Sequence, residues 1–274
     1  MRETTPPTRR SVVGYLPIGA ALGMAAVSET TNPTMAQAAP RTFVLVHGAY
    51  EGGWIWRYTA DLLRAKGDKV LTPTLTGLGE RSHLMSGLIN LDTHVTDVVN
   101  VIKWERLENI VLVGHSYAGW VISGVAERAL PNISSIVYLD AFFPEDGQRG
   151  LDLNSPGSRA AVLAAIERNE VSRPPDYSRD NSPMMTAKDR EWLVGMATPH
   201  PIGVSLQPLR LTGAREKVVK KTYIRARGYP MPTYDAHYIK LQSDKSWRLY
   251  DVPCGHSVMI EMPERLAEIL QEVA

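Results

Sequence analysis

The sequence predicts an α/β architecture: a mostly parallel sheet of about six strands with helices on both faces and a helical cap insertion. Three observations predict it. From Arg41 onward, apolar β-rich runs alternate with segments of helical period, an order that puts crossover helices on both faces of a parallel sheet. The alternation breaks once, over 141–215, and then resumes. The chain has 274 residues, 44% of them hydrophobic, enough for one full-sized core.

The first segment stands apart. "TRRSVVGYLPIGAALGMAAVSET" sets Arg9 and Arg10 ahead of an apolar, Gly/Ala-rich run from Val12 to Val27, too short for a membrane span. An export signal is expected over 1–39, with Ala36-Gln37-Ala38 ahead of Ala39-Pro40 as the cleavage pattern. The paired arginines resemble a twin-arginine signal, although Ser-Val-Val follows them. The mature chain is then expected to start near Ala39, periplasmic or secreted, with no stable membrane anchor after processing.

"TFVLVHG" reads as the first strand and Trp56 to Lys66 as the first helix, followed by "KVLTPTL" as a strand. The loop "TGLGERSHLMSG" leads into a helix from about Leu91 to Arg106. "NIVLVGHS" is the third strand, "YAGWVISGVAERAL" the helix after it and "SSIVYLD" the fourth strand. "VVKKTYIRA" and "WRLYDVP" are two more, with helices around Tyr234 and from Pro263 to the end. The core is expected from 40–140 and 216–274. The insertion 141–215 contains "GSRAAVLAAIERNE" and "SRPPDYSRDNSP" and starts at the carboxyl edge of the sheet, where open α/β folds bind ligands, so it reads as a cap.

Thirty Lys and Arg face 29 Asp and Glu. With no block of like charge, no nucleic-acid partner is expected, and the partner is a small molecule. The single cysteine, Cys254, excludes an intrachain disulfide and a multi-cysteine metal site and reads as a buried filler. No cofactor and no metal is implied.

The sharpest chemical signal is "VLVGHSYAG". A serine hydroxyl needs an exposed position beside a base to become a nucleophile, and a tight strand-to-helix turn supplies one. Gly114 and Ala118, two before and two after Ser116, are small as that turn requires. The backbone N–H of Tyr117 and the helix start then point at an oxyanion. "FVLVHGAYEGGW" supplies a second donor, the backbone N–H of Ala49, with His47 holding the turn. Of seven histidines, His256 in "RLYDVPCGHSVMIEMPERLAEIL" sits in a short loop after the last strand and is the expected base; His115 should turn away from the hydroxyl.

On "FVLVHGAYEGGW", "LTGLGERSHL", "GHSYAG" and "GHSVMIEMPERLAEIL", the chain from Thr42 onward resembles an α/β-hydrolase. It is similar to the compact group of plant methylesterases, hydroxynitrile lyases and small bacterial carboxylesterases. Such relatives carry the third triad member after the penultimate strand, but "TYIRARGYPMP" has no carboxylate there. Asp140, Asp235, Asp251, Glu145 and Asp146 are the candidates, and Asp140 is favoured because it closes the strand beside the nucleophile strand, as the acid of haloalkane dehalogenases does. A cofactor-free serine esterase acting on a small-molecule ester is therefore expected. Tyr50, Trp54, Phe142, Phe143 and Trp192 are the candidate pocket residues. A hydroxynitrile lyase would need a cation near His256, and the nearest in the preceding segment is Arg248. A ligand-binding protein on the same fold is the rival without catalysis.

Overall fold

A computed structural model describes residues 39–177, 182 and 184–274; the expected export signal, apart from Ala39, lies outside the described residues. In chain order the elements are β1 (Thr42–Val46), α1 (Arg57–Ala65), β2 (Lys69–Leu71), α2 (Leu91–Trp104), β3 (Ile110–His115), α3 (Ala118–Ala129) and β4 (Ile133–Leu139). The insertion carries α4 (Gly150–Leu153), α5 (Pro156–Glu167), β5 (Ser172–Arg173), α6 (Ala187–Met196) and β6 (His200–Pro201). The core resumes with β7 (Lys220–Ala226), α7 (Pro232–Gln242), β8 (Trp247–Val252), α8 (Val258–Glu261) and α9 (Pro263–Val273).

Six strands form one parallel sheet in the order β2-β1-β3-β4-β7-β8. β3 is buried at every position, as a central parallel strand covered on both faces must be. Side chains alternate between the faces with period two. Val44, Val46, Ile110 and Leu112 pack towards α2 and α3, whereas Phe43, Leu45, Val111 and Val113 pack towards α1 and α9. Hydrophobic periodicity thus sorts the helices into two layers.

Local chemistry sets the ends. Asn90 caps α2 by accepting from Thr93 N (3.0 Å), and the Thr93 hydroxyl accepts in return from Asn90 N (3.3 Å), satisfying donors a helix start leaves free. α1 stops at a left-handed Gly67 (φ +90°), whose N–H bonds Arg64 O at 2.9 Å, a conformation with no Cβ penalty in glycine. β2 is shorter than the predicted "KVLTPTL" because Pro73 has no N–H to continue a ladder. The insertion, expected to be helical, also holds a short antiparallel pairing of β5 with β6.

Register brings the carboxyl ends of the central strands level. Val46 pairs with Gly114, His115 with Leu139 and Leu139 with Ile224, so the residues that follow β1, β3, β4 and β7 meet at one edge. α3 is seated hard against that edge: a Cβ on Gly119 would stand 1.9 Å from Phe142 O and 2.8 Å from Phe142 C. Gly119→Ala is therefore expected to destabilise the fold by about 1–3 kcal/mol or more, the usual cost of overpacking. Gly195→Ala, where a Cβ meets nothing within 4 Å, should raise stability slightly through helix propensity. Thermal denaturation of both variants checks this, and equal melting temperatures would contradict it.

Candidate active site

Ser116 follows β3 directly and has φ +54°, a left-handed conformation that costs a non-glycine residue about 1–3 kcal/mol. Three backbone bonds hold it there. Its N–H donates to Leu139 O (3.2 Å), and its carbonyl accepts from Gly119 N (3.2 Å) and Phe142 N (3.1 Å). Gly114, where a Cβ would lie 2.9 Å from Ala118 O, lets the chain double back. The tightest approach is at Gly119 rather than at Gly114 or Ala118, because the residues after β4 cross directly over the start of α3.

Three side chains form one line. Ser116 Oγ lies 2.8 Å from His256 Nε2, and His256 Nδ1 lies 2.6 Å from Asp140 Oδ2. Asp140 has no exposed surface and takes φ +42°, fixed by its N–H donating to Ile224 O at 2.7 Å. Its other oxygen, Oδ1, accepts from Arg225 Nη1 (2.7 Å) and Ala226 N (3.0 Å). The remaining carboxylates have other partners. Asp235 pairs with Arg225 and Arg227, Asp251 with Arg227, and Glu145 with Lys240, while Asp146 accepts from Leu211 N. Arg225, absent from the sequence-based candidates, is the residue that the apolar pattern of β7 conceals: a cation at a buried strand end signals a buried anion beside it.

The turn after β1 is braced from behind. His47 Nδ1 donates to Gly48 O (2.8 Å) and Nε2 accepts from Leu75 N (3.0 Å), which makes it a neutral structural histidine; burial pushes its pKa down. Glu51, itself buried, accepts from Gly48 N at 2.8 Å. It faces His115 Nδ1 at 3.4 Å, an ion-pair distance rather than a hydrogen bond. His115 Nε2 donates to His256 O at 3.0 Å, and the two imidazole rings lie 4.5 Å apart between centres. Burial lowers the His115 pKa, but the Glu51 and Asp140 carboxylates and the bond to His256 O together outweigh it, and the net shift is upward. Tyr50, in the same turn, is left-handed at φ +70°. Ala49 and Tyr117 both line the cavity at Ser116.

A sequence profile for the alpha/beta hydrolase family matches residues 43–269. The chain belongs to this family. It is 40% identical over 239 residues to a carbendazim hydrolyzing esterase of Nocardioides sp. (strain SG-4G), covering 83% of this chain and 97% of that protein. Among solved structures it is similar to an extracellular alpha/beta-hydrolase from a Paenibacillus species, described as sharing structural and functional homology with tobacco salicylic acid binding protein 2 (TM-score 0.75, 25% identity, 86% of this chain and 99% of that one). A methylesterase from Arabidopsis shares the fold, with TM-score 0.68, 21% identity and coverage of 85% and 98%.

In this alpha/beta hydrolase the cavity beside Ser116 measures about 140 Å³ and is lined by Tyr50 and Phe142 together with Tyr117, Arg173, Tyr177, His200, Tyr229 and Tyr234. Trp54, Phe143 and Trp192, expected in the pocket, lie elsewhere. Phe142 lines the cavity, whereas Phe143 packs on Tyr138 (5.1 Å between ring centres) and Trp247 (5.2 Å). Trp54 meets Trp192 edge-on at 5.0 Å, joining α6 to the turn before α1. Tyr229 stacks on the His256 ring at 4.3 Å, and the Tyr234 hydroxyl stands 3.4 Å from Ser116 Oγ. These aromatics and the insertion's Arg173 and His200 were not read from the sequence, since local pattern does not say which loop folds over which edge. Arg173 is a cation that lines the cavity, whereas the guanidinium of Arg248 donates to Glu272 O on α9.

Behind Tyr117 and His200 of that wall lies a buried histidine. His94 Nε2 donates to Thr76 O (2.9 Å) and Nδ1 accepts from the Tyr117 hydroxyl (3.0 Å). Burial pushes its pKa down to about 4. Because the unfolded chain takes up this proton first, His94 makes stability fall as pH drops from its ordinary pKa of 6.5 towards about 4. Melting temperature measured across that window should fall less steeply in His94→Gln than in the parent, and parallel curves would refute the assignment.

Proposed function

We propose that this chain hydrolyses small carboxylic esters through an acyl-enzyme on Ser116. The observation that carries the reading is the unbroken line from Ser116 Oγ through His256 to Asp140, with contacts of 2.8 and 2.6 Å, at the strained turn of a family whose relatives include a named esterase. Ser116 attacks the ester carbonyl while His256 Nε2 takes its proton. Asp140 holds the Nδ1 proton and stabilises the imidazolium, and the N–H groups of Ala49 and Tyr117 receive the oxyanion. His256 then protonates the departing alcohol, and water releases the acid. A cavity of about 140 Å³ suits a small acyl or aromatic group, since one of about 150 Å³ holds benzene.

A panel of p-nitrophenyl and methyl esters, with labelling by a serine-directed fluorophosphonate, tests this. Turnover should favour short acyl chains, and label should sit on Ser116. Tight ligand binding without turnover or labelling would replace the esterase reading by the binding-protein one.

We also propose that residues 1–39 direct export. Chain recovered outside the cytoplasm should begin near Ala39 on N-terminal sequencing, and an intact Met1 there would refute it. Among the described residues no helix is long and apolar enough to cross a membrane.

A further inference from the structure

The segment after β7, "RGYP", offers no carboxylate to the imidazole, yet β7 ends in a cation that is almost fully enclosed. The Arg225 side chain is 2% exposed beside an Asp140 side chain with none. A planar guanidinium can serve several acceptors in one plane, and this one does. Nη1 donates to Asp140 Oδ1 (2.7 Å) and to Ala226 O, Nη2 to Tyr229 O (2.7 Å) and Nε to Asp235 Oδ1 (2.9 Å). The two carboxylate oxygens of Asp140 therefore have separate partners: Oδ1 is tied to β7 through Arg225 and Ala226 N, and Oδ2 alone meets His256 Nδ1. A carboxylate in that enclosure needs a paired cation and fully used lone pairs to be held at all.

We propose that Arg225 is a positioning residue for the reaction. It locks the rotation of the Asp140 carboxylate, presents a single oxygen to His256 and, through Tyr229 O, fixes the loop whose ring stacks on the imidazole. This rests on the reading of Ser116, His256 and Asp140 as the reacting line. Arg225 touches no reacting atom and acts through Asp140 and Tyr229.

The test is a double-mutant cycle on p-nitrophenyl acetate with Arg225→Gln, Arg225→Lys, Asp140→Asn and the Asp140→Asn/Arg225→Gln pair, with melting temperatures alongside. Arg225→Gln is expected to lower kcat by about 10- to 100-fold with KM little changed, since a displaced base costs rate rather than binding. Arg225→Lys keeps the charge but cannot serve all the acceptors, so a loss of about 3- to 10-fold is expected; it also serves where the glutamine variant fails to fold. In the Asp140→Asn background Arg225→Gln should cost less than half of its single-variant factor, because the group it positions is gone. An unchanged kcat in either single variant, or the full factor reappearing in the double variant, would overturn the proposal. A parent enzyme that turns over esters while Arg225→Gln matches it sinks this inference alone. A parent that neither turns over esters nor reacts with a fluorophosphonate sinks the serine-hydrolase reading and this inference with it.

Discussion

Ser116→Ala is expected to lower kcat on an activated ester by about six orders of magnitude, to the residual rate that the oxyanion donors and binding alone sustain. The size of the effect follows from the line of contacts. His256 Nε2 has the Ser116 hydroxyl as its partner at 2.8 Å, so removing Oγ removes both the proposed nucleophile and the proton that the proposed base would take. The fold should survive, because the bonds that hold this left-handed turn run through the backbone of residue 116 to Leu139, Gly119 and Phe142. Steady-state kinetics and a melting curve on the same preparation check both halves. A folded alanine variant within a hundredfold of the parent would require a different nucleophile.

Asp140→Asn is the second large effect, at about four orders of magnitude in kcat. Its direction can be derived from the neighbours. Arg225 Nη1 and Ala226 N both donate to the Oδ1 position, so an asparagine must turn its carbonyl oxygen to them. That leaves its NH₂ facing His256 Nδ1, where it can only donate. The imidazole is driven to carry its proton on Nε2, which then faces Ser116 as a donor and cannot act as a base. Asp251→Asn, at a residue that pairs with Arg227 and Tyr238, should stay within a few-fold of the parent. Reversed results for these two aspartates would reassign the acid.

Much of this was legible before any tertiary structure. The succession of about six strands along the chain, the turn at Ser116 and the histidine after the last strand follow from periodicity of two and 3.6 and from small residues in fixed places, all properties of contiguous chain. Asp140 was legible for a related reason. A carboxylate closing the apolar run "SSIVYL" must have a partner, and only a few downstream groups compete for the role.

The rest depends on contacts between distant segments. Phe142 and Phe143 look alike in sequence, and only the path of the chain over α3 decides which ring faces the cavity. Trp54 and Trp192 are 138 residues apart and meet each other instead of the ligand space. Arg173 and His200 reach the cavity because the insertion folds over the sheet edge, and no local propensity encodes that closure. Arg225 is the clearest case. In the sequence it is one more cation in "YIRARGYP", because pattern reports only which residues are apolar. The register of β4 against β7, Leu139 beside Ile224, places its guanidinium against Asp140. By itself the sequence determined the fold class, the tight turn at Ser116 and the short list of candidate acids. Tertiary structure decided which acid meets the imidazole, what holds that acid and what lines the pocket, because these depend on distances between strands that local pattern does not contain.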